Sequence, residues 1–459
     1  MGILIRNGDI VTGQQRWRGD IRCRDGRIVE LAEALAPGSE DEVLDAAGQL
    51  VFPGGVDPHV HMQLPVAGTV SSDDFESGTA AALAGGTTTI VDFVHPERGE
   101  SFLEALAARK EEAGKAVADY GLHMAVTWWG EETTRWMADC VHNQGIPSFK
   151  LYMAYKETVG LEDAALIRAL EAAHNLQARV LVHAEHGDMV EHLRSRLAAA
   201  GSLGPEAHPR SRPPELEGEA TERMMVLAGL TGASAYIVHV TCQQAVDALT
   251  KARDSGLEVY GETCPQYLLL DESVYEKPDF EAAAYVIAPP IRSAEHQQAL
   301  WEALRTGALQ VVGTDHCPFN LKGQKDLGRN DFRQIPGGAA GVEHRLALLY
   351  SYGVRQGRIG LQQFVDLVST RPAQLFGLYP RKGSISVGAD ADLVVWDPEA
   401  TGVISAATHH QRCDRSIFEG FSVTGLPSAV IAAGRIQFQD GDLAVERGAG
   451  RYLARSLAA

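Results

Sequence analysis

Eight short apolar segments alternate with longer amphipathic segments through the middle of the chain, and this alternation limits the fold more than any other feature. The apolar segments span residues 50–56, 87–93, 121–127, 148–151, 179–182, 235–238, 258–261 and 310–313. Almost continuously apolar strands are typical of parallel sheets that are covered by helices. Eight such strand–helix units predict a TIM-type (β/α)8 barrel, with a doubly wound open sheet as the alternative.

The two ends of the chain have a different pattern. Short β-type segments in residues 3–52 are separated by turn pairs such as Asn7-Gly8 and Asp25-Gly26, which are typical of hairpins. The same pattern returns in residues 391–396 and 429–436. We therefore predict a small β-sandwich domain built from residues 1–52 and 383–459, and a catalytic barrel domain of residues 53–382.

Composition excludes several classes of protein. The chain has 459 residues, 45% of them hydrophobic, which is enough for a large core and more than one domain. Its net charge is 41 − 60 = −19, which argues against nucleic acid or an anionic membrane as a partner. No apolar run approaches the roughly 20 residues that span a bilayer, and the N-terminus lacks the pattern of a signal peptide. The six cysteines have no close-spaced pair. A cytoplasmic protein is expected.

Side chains that can bind a metal ion or take part in catalysis follow five of the eight predicted strands. In a β/α barrel these positions meet at the carboxyl face, where catalytic residues lie. A single histidine on an apolar strand is usually a core residue, but this combination at one end of five strands indicates a binuclear metal site. The residues are His59 and His61 after the first strand, Lys150 and Tyr155 at the fourth, His183 at the fifth, His239 at the sixth and Asp315 at the eighth.

Specific motifs extend over nearly the whole chain. They are FPGGVDPHVHM, GGTTTIVDF, SFKLYMAYK, VHAEHGD, YIVHVTC, VVGTDHCPF and RKGSISVGADADLVVWDP. With these motifs the chain resembles the cyclic amidohydrolases, the family of dihydropyrimidinase and D-hydantoinase, with allantoinase and dihydroorotase as relatives. The last motif is similar to the β-sandwich common to the wider superfamily.

The resemblance implies a set of metal ligands. His59, His61 and Asp315 are expected to bind one divalent ion, and His183 and His239 to bind a second. Lys150, carboxylated on its amine, would bridge the two ions. Apolar neighbours and two cations favour the neutral amine that reacts with carbon dioxide. Imidazole and oxygen ligands make zinc the expected metal.

The resemblance also implies a reaction, in which a metal-bridging hydroxide opens a cyclic amide. Asp315 would carry the proton to the leaving nitrogen, and the Tyr155 hydroxyl would stabilise the oxyanion. Relatives hold the ring through backbone groups at the positions of Ala288 and Gly337, where this chain lacks the usual Ser and Asn. The loop of residues 62–72, which includes Leu64, is expected to shape the pocket for the ring substituent.

The expected substrates are dihydrouracil, dihydrothymine and hydantoins, opened to N-carbamoyl amino acids as in pyrimidine degradation. Allantoinase, or another hydrolase of cyclic ureides, is the alternative activity. A non-catalytic scaffold related to dihydropyrimidinase is the alternative outside enzymes, although every expected metal ligand is present. The resemblance further implies a homotetramer in which the tail after Gly448 helps the subunits to meet.

Overall fold

Eight parallel strands form the central sheet of the protein, and the computed structural model describes residues 2–457. The strands are Gly55–Asp57, Thr87–Val94, Asp119–Ala125, Ser148–Tyr152, Arg179–His183, Ser234–Ile237, Val259–Thr263 and Val311–Val312. Each strand pairs with the next one along the chain. A parallel bridge between Val60 and His316 joins the chain just beyond the first and eighth strands. The predicted (β/α)8 barrel is therefore confirmed, and the open sheet is not formed.

Helices lie between the strands and cover the outside of the barrel. The α-helices are Phe75–Ala84, Phe102–Ala113, Thr133–Gln144, Asp163–Asn175, Gly187–Ala199, Ala207–Arg210, Pro214–Thr231, Gln243–Asp254, Pro265–Leu269, Ala294–Thr306, Arg345–Leu349, Leu361–Val365 and Arg371–Leu375. Because both faces of the sheet are covered, the barrel strands are buried along almost their whole length. Within residues 2–457, no helix combines the length and the hydropathy that crossing a membrane requires.

A second sheet is assembled from both ends of the chain. Its nine strands are Gly2–Val11, Arg16–Arg24, Arg27–Ala32, Asp41–Asp45, Leu50–Pro53, Leu393–Val403, Ser422–Ala432, Arg435–Gln439 and Asp442–Leu443. Leu50–Pro53 joins the two ends, since it pairs in parallel with the first strand and antiparallel with Leu393–Val403. Ile5, Ile21 and Ile431 lie in the buried core of this domain.

The predicted β domain from both termini is thus confirmed. Its boundaries at residues 52 and 383 stay predictions. Met1, Ala458 and Ala459, which belong to the predicted terminal segments, lie outside the described residues.

The first predicted strand, residues 50–56, is wrong as a single strand. The chain forms Leu50–Pro53 in the terminal sheet and Gly55–Asp57 in the barrel. Gly54 separates them: its N–H donates to Asp392 O at 2.8 Å, and a Cβ there would lie 2.1 Å from Thr88 Oγ1. Only glycine allows this close approach, so the chain crosses from one domain to the other at that position.

The tail after Gly448 packs against the start of the third barrel strand, Asp119–Ala125. Tyr120 N donates to Arg451 O at 3.0 Å, and Leu453 N donates to Tyr120 O at 2.8 Å. Arg455 N donates to Gly145 O at 2.9 Å, and the Arg455 side chain is buried. The described part of the tail is therefore fixed within its own chain, and its role between subunits stays a prediction.

Candidate metal centre and active site

One group of potential metal ligands lies just beyond the first and eighth barrel strands. His59 and His61 alternate after Gly55–Asp57, so both imidazoles turn to the same side. Asp315 Oδ1 lies 3.2 Å from His59 Nε2 and 3.1 Å from His61 Nε2. The three ligand atoms lie within 4.8 Å of one another, which is close enough to surround one metal ion.

A second pair of histidines continues this group. His183 is the last residue of Arg179–His183, and His239 follows Ser234–Ile237 by two positions. Their ring centroids are 4.6 Å apart, and the His239 ring is 5.5 Å from the ring of His59. His61 lies 5.2 Å from His59 on the other side. The four imidazoles predicted from different strands therefore form one continuous cluster.

Lys150 lies between the two histidine pairs. It occupies the middle of Ser148–Tyr152 and is 1% exposed. Its Nζ is 5.3 Å from the centroid of the Phe93 ring and 5.4 Å from that of Tyr152. The Phe93 ring stacks on His61, and the Tyr152 ring lies 6.0 Å from His183. Burial lowers the pKa of the Lys150 amine to about 8, so a minor neutral fraction exists near neutral pH.

Asp315 and Tyr155 have opposite protonation preferences. Burial raises the pKa of Asp315, but the interactions with His59 and His61, which include a hydrogen bond from His61, outweigh it and bring the pKa down to about 2. The Tyr155 ring lies 5.2 Å from His183, and burial raises the pKa of its phenol. At neutral pH the site therefore contains an ionised carboxylate that accepts hydrogen bonds and a protonated hydroxyl that donates them.

Three of the predicted site residues have a left-handed backbone. The φ angles are 58° at Tyr155, 40° at His239 and 53° at Asp315. Side chains other than glycine rarely adopt this conformation, which costs about 1–3 kcal/mol for each residue. Such strain collects at functional sites, where the surrounding fold holds a side chain in a required direction.

The three predicted substrate contacts lie on loops. Leu64 is half-buried before the hairpin of Pro65–Val66 and Thr69–Val70, and its N–H donates to Ser71 Oγ at 2.8 Å. Ala288 is half-buried, whereas Gly337 is exposed with open space where a Cβ would lie. A hydrogen bond of 3.1 Å from Gly338 N to Val286 O joins the loops of Ala288 and Gly337.

Similar proteins match this chain over nearly its whole length. The model of the Amidohydrolase family matches residues 50–437. A D-hydantoinase of Geobacillus stearothermophilus is 49% identical over 454 residues, which cover 99% of this chain and 96% of that protein. The chain belongs to the amidohydrolase family. A dihydropyrimidinase of Dictyostelium discoideum is 43% identical over 99% of this chain and 90% of that protein. The crystal structure of dihydropyrimidinase from Brevibacillus agri matches with a TM-score of 0.99 at 46% identity, and the match covers 100% of each chain.

These findings confirm the resemblance inferred from the motifs. The chain is a cyclic amidohydrolase, an enzyme that opens cyclic amides by hydrolysis. The names of its relatives do not favour allantoinase. The amidohydrolase family implies a metal centre, and the group of His59, His61 and Asp315 could hold an ion.

The residues of this amidohydrolase fit a metal. Within residues 2–457, His59 Nε2 and His239 Nδ1 are buried and make no hydrogen bond. Buried polar atoms without a partner are rare, and a cation would satisfy both nitrogen lone pairs. Burial also lowers the pKa values of both histidines well below the ordinary value. Both imidazoles are therefore neutral at neutral pH, as metal ligands must be.

Two buried carboxylates next to the histidines were not among the predicted site residues. His183 Nε2 lies 2.6 Å from Glu185 Oε2, and Arg212 holds the same oxygen at 2.5 Å. His59 Nδ1 bonds to Glu262. The sequence positions of both carboxylates could have marked them as site residues. Glu185 follows His183 by two residues, and Glu262 directly follows the seventh predicted strand. Position alone, however, does not reveal which side chain each carboxylate contacts.

Proposed function

We propose that this enzyme opens 5,6-dihydropyrimidine and hydantoin rings to N-carbamoyl amino acids at a centre of two zinc ions. The observation that carries the proposal is the approach of His59 Nε2 and His61 Nε2 to within 3.2 Å of the same Asp315 oxygen, beside a second histidine pair. The relatives named D-hydantoinase and dihydropyrimidinase support the choice of substrates.

We assign His59, His61 and Asp315 to one ion and His183 and His239 to the other. Lys150 is the bridging ligand in this assignment: its neutral amine adds to carbon dioxide and loses a proton, which gives a carbamate with two oxygens. The burial of Lys150 between the Phe93 and Tyr152 rings supports this reaction. Two divalent ions bring a charge of about +4, and the carbamate, Asp315 and a hydroxide remove about three, so a small positive charge remains.

When bound, the two ions would supply a nucleophile from water near neutral pH, since metal binding lowers the pKa of water from about 15.7 towards about 7. Asp315 accepts the proton of the attacking water and delivers it to the ring nitrogen as the C–N bond breaks. This delivery is needed because an amide nitrogen leaves poorly without a proton. The Tyr155 hydroxyl donates a hydrogen bond to the oxygen that becomes negative.

The loops of Ala288 and Gly337 hold the ring in this proposal. Their backbone N–H and C=O groups can pair with the ring imide without the side chains that relatives usually have there. The hydrogen bond from Gly338 to Val286 supports a joint role, because it fixes one loop against the other. Leu64, at the base of its hairpin, would contact the substituent of the ring.

Replacing Tyr155 by Phe should reduce turnover by about 10²–10³, the usual cost of removing one oxyanion donor. The change keeps the aromatic ring beside His183 and removes only the hydroxyl. Because the lost interaction is made in the transition state, kcat should fall while KM changes little. Steady-state kinetics with dihydrouracil would measure both constants.

Tyr452→Phe is the matched control for this variant. Its hydroxyl donates to Gln144 O at 2.8 Å, outside the carboxyl face of the barrel, so turnover should stay close to that of the unchanged enzyme. If Tyr155→Phe also turned over normally, the hydroxyl would have no part in catalysis, and Tyr155 would only fill the mouth of the barrel.

A substrate panel tests the proposed function. It compares dihydrouracil, hydantoin, both enantiomers of a 5-substituted hydantoin, and allantoin with the zinc-loaded enzyme. We expect the enzyme to open dihydrouracil, hydantoin and the 5-substituted hydantoin. The D enantiomer should be opened faster than the L enantiomer, because a relative at 49% identity is a D-hydantoinase. If allantoin were the only good substrate, the proposed substrate class would be wrong.

The assembly and location also remain proposals. We infer a homotetramer from the resemblance, and a cytoplasmic enzyme from the six cysteines, which have no close-spaced pair. Size-exclusion chromatography with light scattering would measure the number of subunits.

A further inference from the structure

Glu262 is a fully buried carboxylate for which the proposed reaction has no use. It lies in the seventh barrel strand, Val259–Thr263, and is 0% exposed. A Cβ at Gly313 of the neighbouring chain segment would lie 3.0 Å from its Oε2, so glycine leaves room for the carboxylate. A buried carboxylate without partners is costly, and its contacts therefore show what it does in the fold.

One contact orients a proposed metal-binding histidine. His59 Nδ1 lies within hydrogen-bond distance of Glu262 Oε1. An ionised Glu262 can only accept, so the imidazole proton then lies on Nδ1 and the lone pair remains on Nε2, the atom 3.2 Å from Asp315 Oδ1. Within residues 2–457 this Nε2 makes no hydrogen bond, so it is available to a metal ion.

A second contact reaches the other histidine pair. His239 N–H donates to the same Glu262 Oε1 at 3.4 Å, and His239 is one of the residues with a left-handed backbone. Glu262 Oε2, the other carboxylate oxygen, accepts the Tyr236 hydroxyl at 2.7 Å. One carboxylate oxygen, Oε1, thus contacts one histidine of each pair.

We infer that Glu262 is a positioning residue that presets His59 and His239 for metal binding before any ion arrives. This inference rests on the proposed metal centre. Carboxylates that accept a hydrogen bond from a metal-binding histidine orient its ring, fix its tautomer and raise its basicity, and their loss typically weakens metal affinity by about 10–100-fold. The alternative is a carboxylate that only completes the packing of the barrel.

Zinc affinity of the metal-free protein separates these two roles. The apoprotein is titrated with zinc against a chromophoric chelator, and its melting temperature without metal is measured in parallel. Glu262→Leu removes both acceptors, whereas Glu262→Gln keeps one acceptor oxygen for His59 and His239, loses the charge and places an amide NH2 beside the Tyr236 hydroxyl. Tyr236→Phe is the matched control, because it removes the other partner of Glu262 and leaves the histidine contacts in place.

We expect zinc to bind about 10–100-fold more weakly to Glu262→Leu, with a smaller loss in Glu262→Gln. Tyr236→Phe should lower the melting temperature of the apoprotein and keep zinc affinity within a few-fold. If Glu262→Leu does not fold, the zinc affinities of Glu262→Gln and Tyr236→Phe are compared instead. Weaker zinc binding by Glu262→Gln than by Tyr236→Phe supports the positioning role, and equal binding supports the packing role.

Two results would overturn the inference. Only the second of them would also overturn the proposed metal centre. If the unchanged protein binds two zinc ions and the Glu262 variants bind them equally well, Glu262 has only a packing role and the metal centre stands. If the unchanged apoprotein binds no zinc, the proposed centre fails, and the positioning role fails with it.

Discussion

Asp315→Asn should reduce turnover by several orders of magnitude while bound metal falls only modestly. An asparagine oxygen can still face an ion that His59 and His61 would hold. An amide, however, can neither accept the proton of the attacking water nor deliver one to the ring nitrogen. The loss of general acid–base catalysis alone accounts for about 10²–10⁴ in turnover. Metal per chain, measured by elemental analysis beside steady-state turnover, tests this expectation.

The proton transfer that we propose for Asp315 predicts a second result. Substrates whose leaving nitrogen is more acidic depend less on proton delivery, so Asp315→Asn should lose less activity with them. If metal content and activity fell in equal proportion for every substrate, Asp315 would act as a ligand only. Full metal with near-normal turnover would leave Asp315 without the catalytic role that we assign to it.

Lys150→Ala should lose both bound metal and activity. The change removes the amine whose carbamate would bridge the two ions, and alanine offers no replacement ligand. A short carboxylic acid such as formate can enter the space that the side chain leaves and supply two oxygens. We therefore expect partial recovery of metal and turnover when formate is added to the variant.

Lys325→Met provides the matched control for the loss of a buried lysine. Lys325 is also 1% exposed, but its Nζ donates to Val286 O at 2.8 Å and contacts none of the proposed metal ligands. This variant should keep its metal even if it is less stable. If Lys150→Ala kept its full metal and turnover, Lys150 would not be the bridging ligand.

The barrel was predictable because its signal is long and repeated. Eight apolar segments that alternate with amphipathic segments leave few alternatives, and the pairing order along the chain agrees with them. The first segment was wrong because the prediction continued one strand through Pro53-Gly54-Gly55, the break at which the chain crosses between the domains. Asn7-Gly8 was predicted as a turn but lies at a bulge within one continuous strand, Gly2–Val11.

Much of the candidate site could also be predicted from the sequence, since parallel strands place their carboxyl ends on one face of the barrel. His59, His61 and Asp315 approach one another as the predicted strands required. The contacts of Glu262 could not be predicted, because they depend on how three strands lie side by side in the barrel. Nor could the left-handed backbone of Tyr155, since tyrosine rarely adopts that conformation.

Zinc titration of the metal-free enzyme, with dihydrouracil hydrolysis measured at each point, tests the central claim most directly. Two groups of proposed ligands meet at the carboxyl face, and the reaction that we propose requires an ion in each of them. Turnover should therefore be negligible without metal and should reach its maximum at two zinc ions per chain. Full turnover with one ion per chain, or with none, would contradict the two-metal account.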